Sequence, residues 1–187
     1  MDRNIEADRE QRLIAAVARG DRNAFRQLYD ETYGKVARYI RSLVGDEHLT
    51  DDILVQTYAI VWQTASRFKG ASRLTTWIIG IARNIAFKEF RSRRTEEPFD
   101  ESYKGADDTS QLQPEYRDRN KLMKLALATI SAHHREILEL VFYQDLSYPE
   151  ISQLIDIPVN TVKTRVFHAK KAFKNALAAR GITANDL

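Results

Sequence analysis

The sequence has no cysteine, and it holds only seven glycines and four prolines among its 187 residues. The lack of cysteine excludes disulfides and thiolate metal sites, and the small number of helix-breaking residues favours a mostly helical chain. No apolar run approaches the roughly 18 residues that a membrane span needs. The N-terminal segment MDRNIEADREQR is charged and lacks the apolar stretch of a signal peptide. We therefore expect a globular cytoplasmic protein without membrane insertion.

Signatures of catalysis are also scarce. The sequence contains no glycine-rich phosphate loop, and no serine, histidine and aspartate occur in an order with supporting turn chemistry. The four histidines lack metal-ligand spacing to a pair of carboxylates. They are His48, His133, His134 and His168. We expect no catalytic site, no bound metal and no cofactor.

Charge is distributed in three blocks along the chain. Residues 1–94 carry 17 Lys/Arg against 12 Asp/Glu, residues 95–118 carry 2 against 8, and residues 119–187 carry 10 against 6. The acidic block lacks apolar periodicity, which is typical of a flexible linker. Two basic blocks on one tether suggest two nucleic-acid-facing domains, although charge scatter in a solvated linker would also explain the acidic residues. The expected architecture is all-α, with two small helical domains, 1–94 and 119–187, joined by a flexible acidic linker, 95–118.

The most informative stretch runs from residue 146 to residue 174, LSYPEISQLIDIPVNTVKTRVFHAKKAFK. Ser147 and Glu150 stand at the two positions of a capping box, which opens a helix. Asp156 follows the apolar positions of that helix, and aspartate tolerates the positive φ of a turn. The next helix, which starts at Pro158, carries five basic residues and no acid. The pattern predicts a helix-turn-helix whose second helix enters the DNA major groove. An ordinary helical hairpin with a solvated basic face is the alternative.

Helical periodicity also fills the first domain. Gly20 and Gly45 end the first two amphipathic runs, and Asp21 is placed to cap the second. Thr50 or Asp51 is predicted to open a third helix.

Three large side chains of the third helix fall outside its inward stripe. Either a helical bundle buries them or they mark a partner surface. They are Val55, Tyr58 and Trp62. A fourth apolar run spans 77–90 and ends in a basic stretch. Its Trp77 is expected to lie in the core, and the alternative is that its ring is a stacking platform for a base.

Four phrases in order resemble those of the bacterial extracytoplasmic-function (ECF) sigma factors, which are promoter-recognition subunits of RNA polymerase in the sigma-70 superfamily. They are AFRQLYDETYGKVARYI, TDDILVQTYAIVW, TTWIIGIARNIAFKEFRSRR and LSYPEISQLIDIPVNTVKTRVFHAKKAF. The resemblance covers residues 12–94 and 119–178. It implies two helical domains, sigma regions 2 and 4, joined by a flexible linker. It also implies a protein that binds core polymerase, reads the −35 and −10 promoter elements and opens the DNA.

In region 4 the resemblance places the −35 contacts on the second helix of the helix-turn-helix. Lysine or arginine can bond guanine, and a threonine methyl or Phe167 can meet a thymine methyl, while further lysines hold phosphates. His168 stands where many relatives carry arginine, so the preferred −35 sequence is expected to differ, unless His168 is a silent exposed residue. The matched residues are Lys163, Thr164, Arg165, Phe167, His168, Lys170 and Lys171.

In region 2 the resemblance places −10 recognition on loop 68–74, which captures a base flipped out of the non-template strand, and on the helix that follows. Extrusion of a base costs stacking energy, which contacts between the base and the pocket must offset. Asparagine can bond a base edge, and arginines and lysines can track the phosphate backbone. The matched residues are Lys69, Ser72, Arg73, Arg83, Asn84, Lys88 and Arg91.

The resemblance also implies a contact between the third helix and the clamp coiled coil of the largest polymerase subunit, and one between region 4 and the polymerase flap. The family phrase carries a glutamine and an acid before its threonine, whereas this chain has Val55 and Gln56, so one charge is missing. We hypothesise that a Ser/Thr kinase supplies charge here by phosphorylating Thr50 or Thr57. The predicted polymerase contacts are Asp51, Asp52, Gln56, Thr57 and Tyr58.

The implied partners are core RNA polymerase, promoter DNA and an inhibitory anti-sigma factor. The linker carboxylates are expected to mimic RNA in the polymerase exit path. They are Glu96, Glu97, Asp100, Glu101, Asp107 and Asp108. Two other functions stay open: an autonomous helix-turn-helix transcriptional regulator, which would bind duplex DNA without polymerase, and a protein-interaction module.

Overall fold

The computed structural model of the chain describes residues 2–96 and 122–181, with side chains for 5–92 and 122–181. Every regular element in these residues is helical, which confirms the all-α prediction. The predicted linker lies outside the described residues from position 97 onward. The helices are α1 (Asp2–Ala18), α2 (Arg22–Val44), α3 (Glu47–Thr64), a 3₁₀ turn (Ala65–Arg67), α4 (Leu74–Glu96), α5 (122–128), α6 (Ala132–Phe142), α7 (Tyr148–Ile155) and α8 (Val159–Ala178).

The described residues divide into two compact units. The first contains residues up to 40 together with 48–96, and the second contains 41–47 together with the residues from 122 onward. The domain limits at 94 and 119 stay predictions. None of the described helices combines the length and apolar character that a bilayer span requires.

The first unit is built on the inward faces of its four helices. Asp21 caps α2 as predicted, because its Oδ1 accepts hydrogen bonds from the backbone N–H groups of Asn23 (2.9 Å) and Ala24 (3.1 Å). The buried apolar residues, each 2% exposed or less, include Ile14, Val17, Leu28, Val36, Ile53, Val61, Ile78 and Ala82.

The third helix begins earlier than the sequence pattern indicates. Gly45 adopts a left-handed conformation (φ +65°) at the end of α2, and α3 resumes at Glu47. An acidic residue in the first turn interacts favourably with the helix dipole. The predicted start at Thr50 or Asp51 is therefore wrong, and Thr50 is a buried residue inside α3.

The second unit packs α6, α7 and α8 against one another. Its apolar core includes Ala126, Ile137, Leu140, Ile151, Val162 and Val166. Arg135 secures α5 to α6, since its guanidinium donates to the carbonyl oxygens of Leu127 (3.2 Å) and Ile130 (2.9 Å). These contacts fix the platform on which the basic helix α8 lies.

Candidate nucleic-acid interface

Helix α7 opens with the capping box that the sequence predicts. The Oε2 atom of Glu150 accepts from the backbone N–H (2.8 Å) and from the hydroxyl (2.6 Å) of Ser147. In return, Ser147 Oγ accepts from the N–H of Glu150 at 3.4 Å. The reciprocal pair satisfies N–H groups that the first helical turn leaves unpaired.

The turn between α7 and α8 is closed by hydrogen bonds that involve both the side chain and the backbone of Ser152. Asp156 takes the left-handed conformation (φ +55°, ψ +53°), as predicted. Ser152 Oγ donates to the carbonyl oxygen of Ile157 at 2.6 Å, and Ser152 O accepts from the backbone of Asp156 and Ile157. Pro158 lies at the N-cap position, one residue before α8 begins. These contacts complete the helix-turn-helix geometry that the sequence predicts.

Helix α8 has one buried side and one solvent side. Val162, Val166 and Ala169 are buried. Phe167 exposes 64% of its surface, and an exposed aromatic ring of this size favours a partner surface. Of the predicted −35 residues, Arg165 is half-buried. The other six are exposed: Lys163, Thr164, Phe167, His168, Lys170 and Lys171.

An open groove follows one edge of α8 beside the first turn of α6. Its α8 residues recur every three or four positions, so they form one stripe of the helix. The lining consists of His134, Thr161, Thr164, Arg165, His168, Lys171, Ala172 and Asn175. On the opposite edge, the Lys170 ammonium lies 5.0 Å from the ring centroid of Phe142, the last residue of α6. Helix α6 therefore crosses α8 and flanks the basic helix at both edges.

His134 is a groove residue to which the sequence analysis gave no function. Partial burial lowers the pKa of its imidazole, and the nearby His168 and Arg165 and the adjacent His133 lower it further. No sequence spacing indicates this proximity, because His134 and His168 belong to different helices that only the fold brings together.

Loop 68–74 of the first unit is anchored at both ends and exposed between them. Phe68 is buried, and its ring centroid lies 5.4 Å from that of Trp77. Leu74, the first residue of α4, is also buried. Between them, Lys69 and Arg73 are exposed and Ser72 is half-buried. Trp77 is itself half-buried, so it lies at the edge of the core and not, as predicted, fully inside it.

Three of the predicted −10 residues on α4 form a stripe at helical spacing. Asn84, Lys88 and Arg91 are exposed and lie four and three residues apart. Arg83 is half-buried beside this stripe, with its guanidinium carbon 4.6 Å from the ring centroid of Phe87. The stacked arginine has less conformational freedom to lose when it binds.

The predicted polymerase-contact residues of α3 separate into two groups. Asp51, Asp52 and Gln56 are exposed, as is the neighbouring Val55, at 72%. In contrast, the structure buries the side chains of Thr57 and Tyr58. Only the exposed group can meet a partner without a change in the fold.

The two threonines proposed for phosphorylation are buried. Thr50 and Thr57 have no exposed surface, and Thr57 Oγ1 donates to the carbonyl oxygen of Ile53 at 2.7 Å. A kinase needs an accessible hydroxyl, and the two phosphate charges would have to enter the core. The burial therefore speaks against the phosphorylation hypothesis.

Aromatic residues of α2 explain why Tyr58 faces inward. The Tyr58 ring centroid lies 4.6 Å from that of Tyr29, and its hydroxyl is 2.8 Å from Thr32 Oγ1. Burial raises the Tyr58 pKa far above its usual value. Trp62 packs on Phe25 with 5.1 Å between ring centroids and remains 36% exposed. Of the three side chains left open by the sequence, Tyr58 belongs to the core, Val55 to the surface, and Trp62 to the boundary.

Among the described residues, no group of three or more histidines and carboxylates is arranged to hold a metal ion. The exposed residues among the predicted contacts carry cations, two carboxylates, two amides, one hydroxyl, and the rings of Phe167 and His168.

Comparison with known proteins places these two units in one family. Residues 28–96 match sigma-70 region 2, and residues 121–173 match sigma-70 region 4. The chain is 30% identical over 179 residues to the ECF RNA polymerase sigma factor SigK of Mycobacterium ulcerans, covering 89% of this chain and 92% of that protein. It is 29% identical over 174 residues to the ECF RNA polymerase sigma factor SigL of Mycobacterium tuberculosis, covering 91% and 98%.

The fold is also similar to that of a solved sigma factor. RpoE, in its complex with the anti-sigma factor NepR from Bartonella quintana, matches with a TM-score of 0.69 at 22% identity, covering 82% of this chain and 96% of that one. Sigma factors bind core RNA polymerase and are transcription initiation factors rather than catalysts. The chain therefore belongs to the ECF RNA polymerase sigma factors and is an alternative sigma factor for transcription initiation.

Proposed function

We propose that this sigma factor reads the −35 element with the solvent side of α8 and captures a −10 base with loop 68–74, in the cytoplasm. The observation that carries the proposal is the two-sided character of α8, whose inward side is buried apolar and whose outward side is basic and aromatic. A helix of this kind fits the major groove, where base edges are distinguishable. DNA binding would also cover the exposed ring of Phe167.

At the −35 element, the two edges of α8 have different functions. Thr164 and His168 lie on the groove edge with Arg165, and we assign base reading to this edge. Lys170 lies on the opposite edge beside Phe142, where we assign it a phosphate contact. Phosphate contacts add affinity that depends on salt, but they add little sequence preference.

At the −10 element, the exposed polar part of loop 68–74 faces the single strand, and the α4 stripe tracks it. Lys69, Ser72 and Arg73 contact the captured nucleotide. Asn84 meets a base edge, while Lys88 and Arg91 hold phosphates. The half-buried Arg83 supports this surface, since its guanidinium stacks on Phe87.

The polymerase contact is the exposed face of α3. Asp51, Asp52, Val55 and Gln56 meet the clamp coiled coil of the largest subunit, and the second unit meets the flap. Thr57 and Tyr58 support this face from inside the core rather than touch the partner. Exposed Val55 replaces a polar residue of the family phrase, which gives the contact a more apolar character. Because Thr50 and Thr57 are buried, we leave phosphorylation out of the proposed function.

An anti-sigma factor is the proposed inhibitor, because a solved sigma factor of similar fold is in complex with one. The acidic linker is proposed to enter the polymerase exit path as an RNA mimic. Its carboxylates lie at the edge of the described residues or beyond it. Neutral replacements at these carboxylates are expected to change the yield of abortive transcripts.

In-vitro transcription with bacterial core polymerase and a genomic promoter library tests the proposal. Sequencing of the transcripts is expected to give discrete start sites that share a −35 and a −10 motif. A protein that binds duplex DNA tightly without polymerase and gives no transcripts would instead be an autonomous helix-turn-helix regulator. A protein with neither activity would contradict both functions.

A further inference from the structure

Helix α1 contacts the loop that is assigned to base capture, although the two are far apart in sequence. Glu10 Oε2 accepts a hydrogen bond of 2.9 Å from the backbone N–H of Leu74, across 64 residues. Helix α1 also packs against the 3₁₀ turn at Ala65–Arg67, which leads into the loop. The sequence pattern alone predicts no function for α1.

The carboxylate of Glu10, which accepts from the Leu74 N–H, compensates for a helix cap that the local sequence lacks. Helix α4 begins at Leu74, so Arg73 is its N-cap residue. Arginine has no hydrogen-bond acceptor in its side chain and is unable to bond the free N–H groups of the first turn. Glu10 supplies an acceptor from another helix, and its carboxylate also lies at the positive end of the α4 dipole.

The side chain of Gln11 approaches the middle of the loop. Gly70 has a left-handed conformation, with φ of +71°, and a Cβ atom placed on it would lie only 3.0 Å from Gln11 Oε1. Two consecutive residues of α1 therefore meet the loop at its middle and at its end. Between and beside these contacts, the polar side chains of Lys69 and Arg73 remain exposed.

Helix α1 is itself fixed to the first unit. Ile14 and Val17 are buried, and the Arg9 guanidinium forms an ion pair with Glu31 of α2. Gln27 Nε2 also donates to Glu31 at 2.9 Å. Because α1 is itself held in place, Glu10 and Gln11 restrict the positions that the loop can take.

We propose that Glu10 is a positioning residue for −10 recognition, holding loop 68–74 in its base-capturing conformation. This inference rests on the proposed function of that loop. Contacts to a flipped base must offset the free energy of stacking that the base loses. If the loop becomes ordered only on binding, the contacts must also offset the conformational entropy that the loop loses. By holding the end of the loop, Glu10 removes part of that second cost.

The test compares Glu10→Ala with Glu10→Gln in the full-length protein bound to core polymerase. The glutamine retains an oxygen acceptor for Leu74 and removes the charge, so it separates hydrogen bonding from electrostatics. Glu6→Ala is the matched control, because Glu6 is an exposed acid one turn earlier on the same helix. The readout is base discrimination, the ratio of open-complex formation on a promoter from the library to that on the same promoter with its captured −10 base replaced. Binding to core polymerase is measured in parallel.

We expect Glu10→Ala to lower this ratio about fivefold, the effect of losing one helix cap. Polymerase binding should stay unchanged, and Glu10→Gln and Glu6→Ala should stay within about twofold of the wild type. Gly70→Ala is expected to lower the ratio as well, because alanine is strained at the positive φ of Gly70 and its Cβ would lie 3.0 Å from Gln11 Oε1.

Three results would overturn the inference: an unchanged ratio in Glu10→Ala, an equal loss in Glu10→Gln, or a parallel loss of polymerase binding that indicates general unfolding. If wild-type protein initiates at promoters but shows no preference at the captured base, the proposed function of the loop fails first. That failure is visible before any variant is compared.

Discussion

The basic helix α8 and loop 68–74 are held by contacts of very different range along the chain. The elements before α8 are held within one short segment, because Ser147 and Glu150 cap the start of α7 and Ser152 with Ile157 closes the turn that follows. The loop instead ends at a hydrogen bond to Glu10, which is 64 residues from its partner Leu74. The caps and the turn before α8 are therefore local in sequence, although α8 itself packs on α6 and α7, whereas the hydrogen bond at the end of the loop forms only once α1 has packed in the first unit.

The largest expected effect is a loss of the core beneath α8. Ile151 of α7 is fully buried, so Ile151→Ala should destabilise the second unit by about 2–5 kcal/mol through lost burial and a new cavity. Hydrogen-exchange protection of α7 and α8 amides in the full chain measures this loss. Leu154→Ala, at a half-buried position of the same helix, should cost less. An equal loss of protection in Ile151→Ala and Leu154→Ala would contradict the conclusion that the buried Ile151 contributes more to this core than the half-buried Leu154.

A change of base preference tests the groove edge of α8. Histidine is unable to make the two-pronged contact that arginine makes with guanine, so His168→Arg should favour a guanine at one −35 position by about 1–3 kcal/mol. The promoter library, read by sequencing with the variant, shows the altered position. Lys170→Ala is the comparison, since loss of a phosphate contact should weaken binding to all promoters and reduce the salt dependence by about one charge. A uniform effect of His168→Arg would contradict base reading by that edge.

The range of these contacts also decides what the sequence could predict. Ser147, Glu150 and Asp156 act on neighbours within five residues, so their types and spacing predicted the capping box and the turn. The buried state of Tyr58 depends on Tyr29 and Thr32 of another helix, and periodicity within α3 alone left it open. For the same reason, the sequence pattern did not predict the interactions of Glu10 and His134, because their partners become neighbours only after folding. The family resemblance identified loop 68–74, but it gave no information on what holds the loop.

The local cap of α7 gives a smaller, purely structural prediction. Ser147→Ala removes the side-chain acceptor for the Glu150 N–H and should destabilise the second unit by about 1 kcal/mol. Glu150→Gln keeps an oxygen acceptor for Ser147 and should retain most of the stability. Chemical denaturation with hydrogen-exchange readout on α7 amides compares the two variants. Loss of −10 base discrimination in Ser147→Ala would contradict the separation between a local cap for α7 and a distant cap for loop 68–74.

The smallest expected effect is a pH dependence at the groove edge of α8. Burial, with His168, Arg165 and His133 nearby, lowers the pKa of His134 in the folded chain below its usual value of 6.5. The unfolded chain then binds a proton more readily than the folded chain, so stability is fully present above the unfolded pKa and falls as the pH drops through the folded pKa. Amide protection of α6 and α8, corrected for intrinsic exchange, should therefore decrease between about pH 7.5 and pH 5.5. His134→Gln should flatten this decrease, whereas His48→Gln, an exposed histidine of the first unit, should leave it unchanged. If His134→Gln keeps the full pH dependence, another group of the second unit carries it, and the contacts at the groove edge do not favour a neutral imidazole.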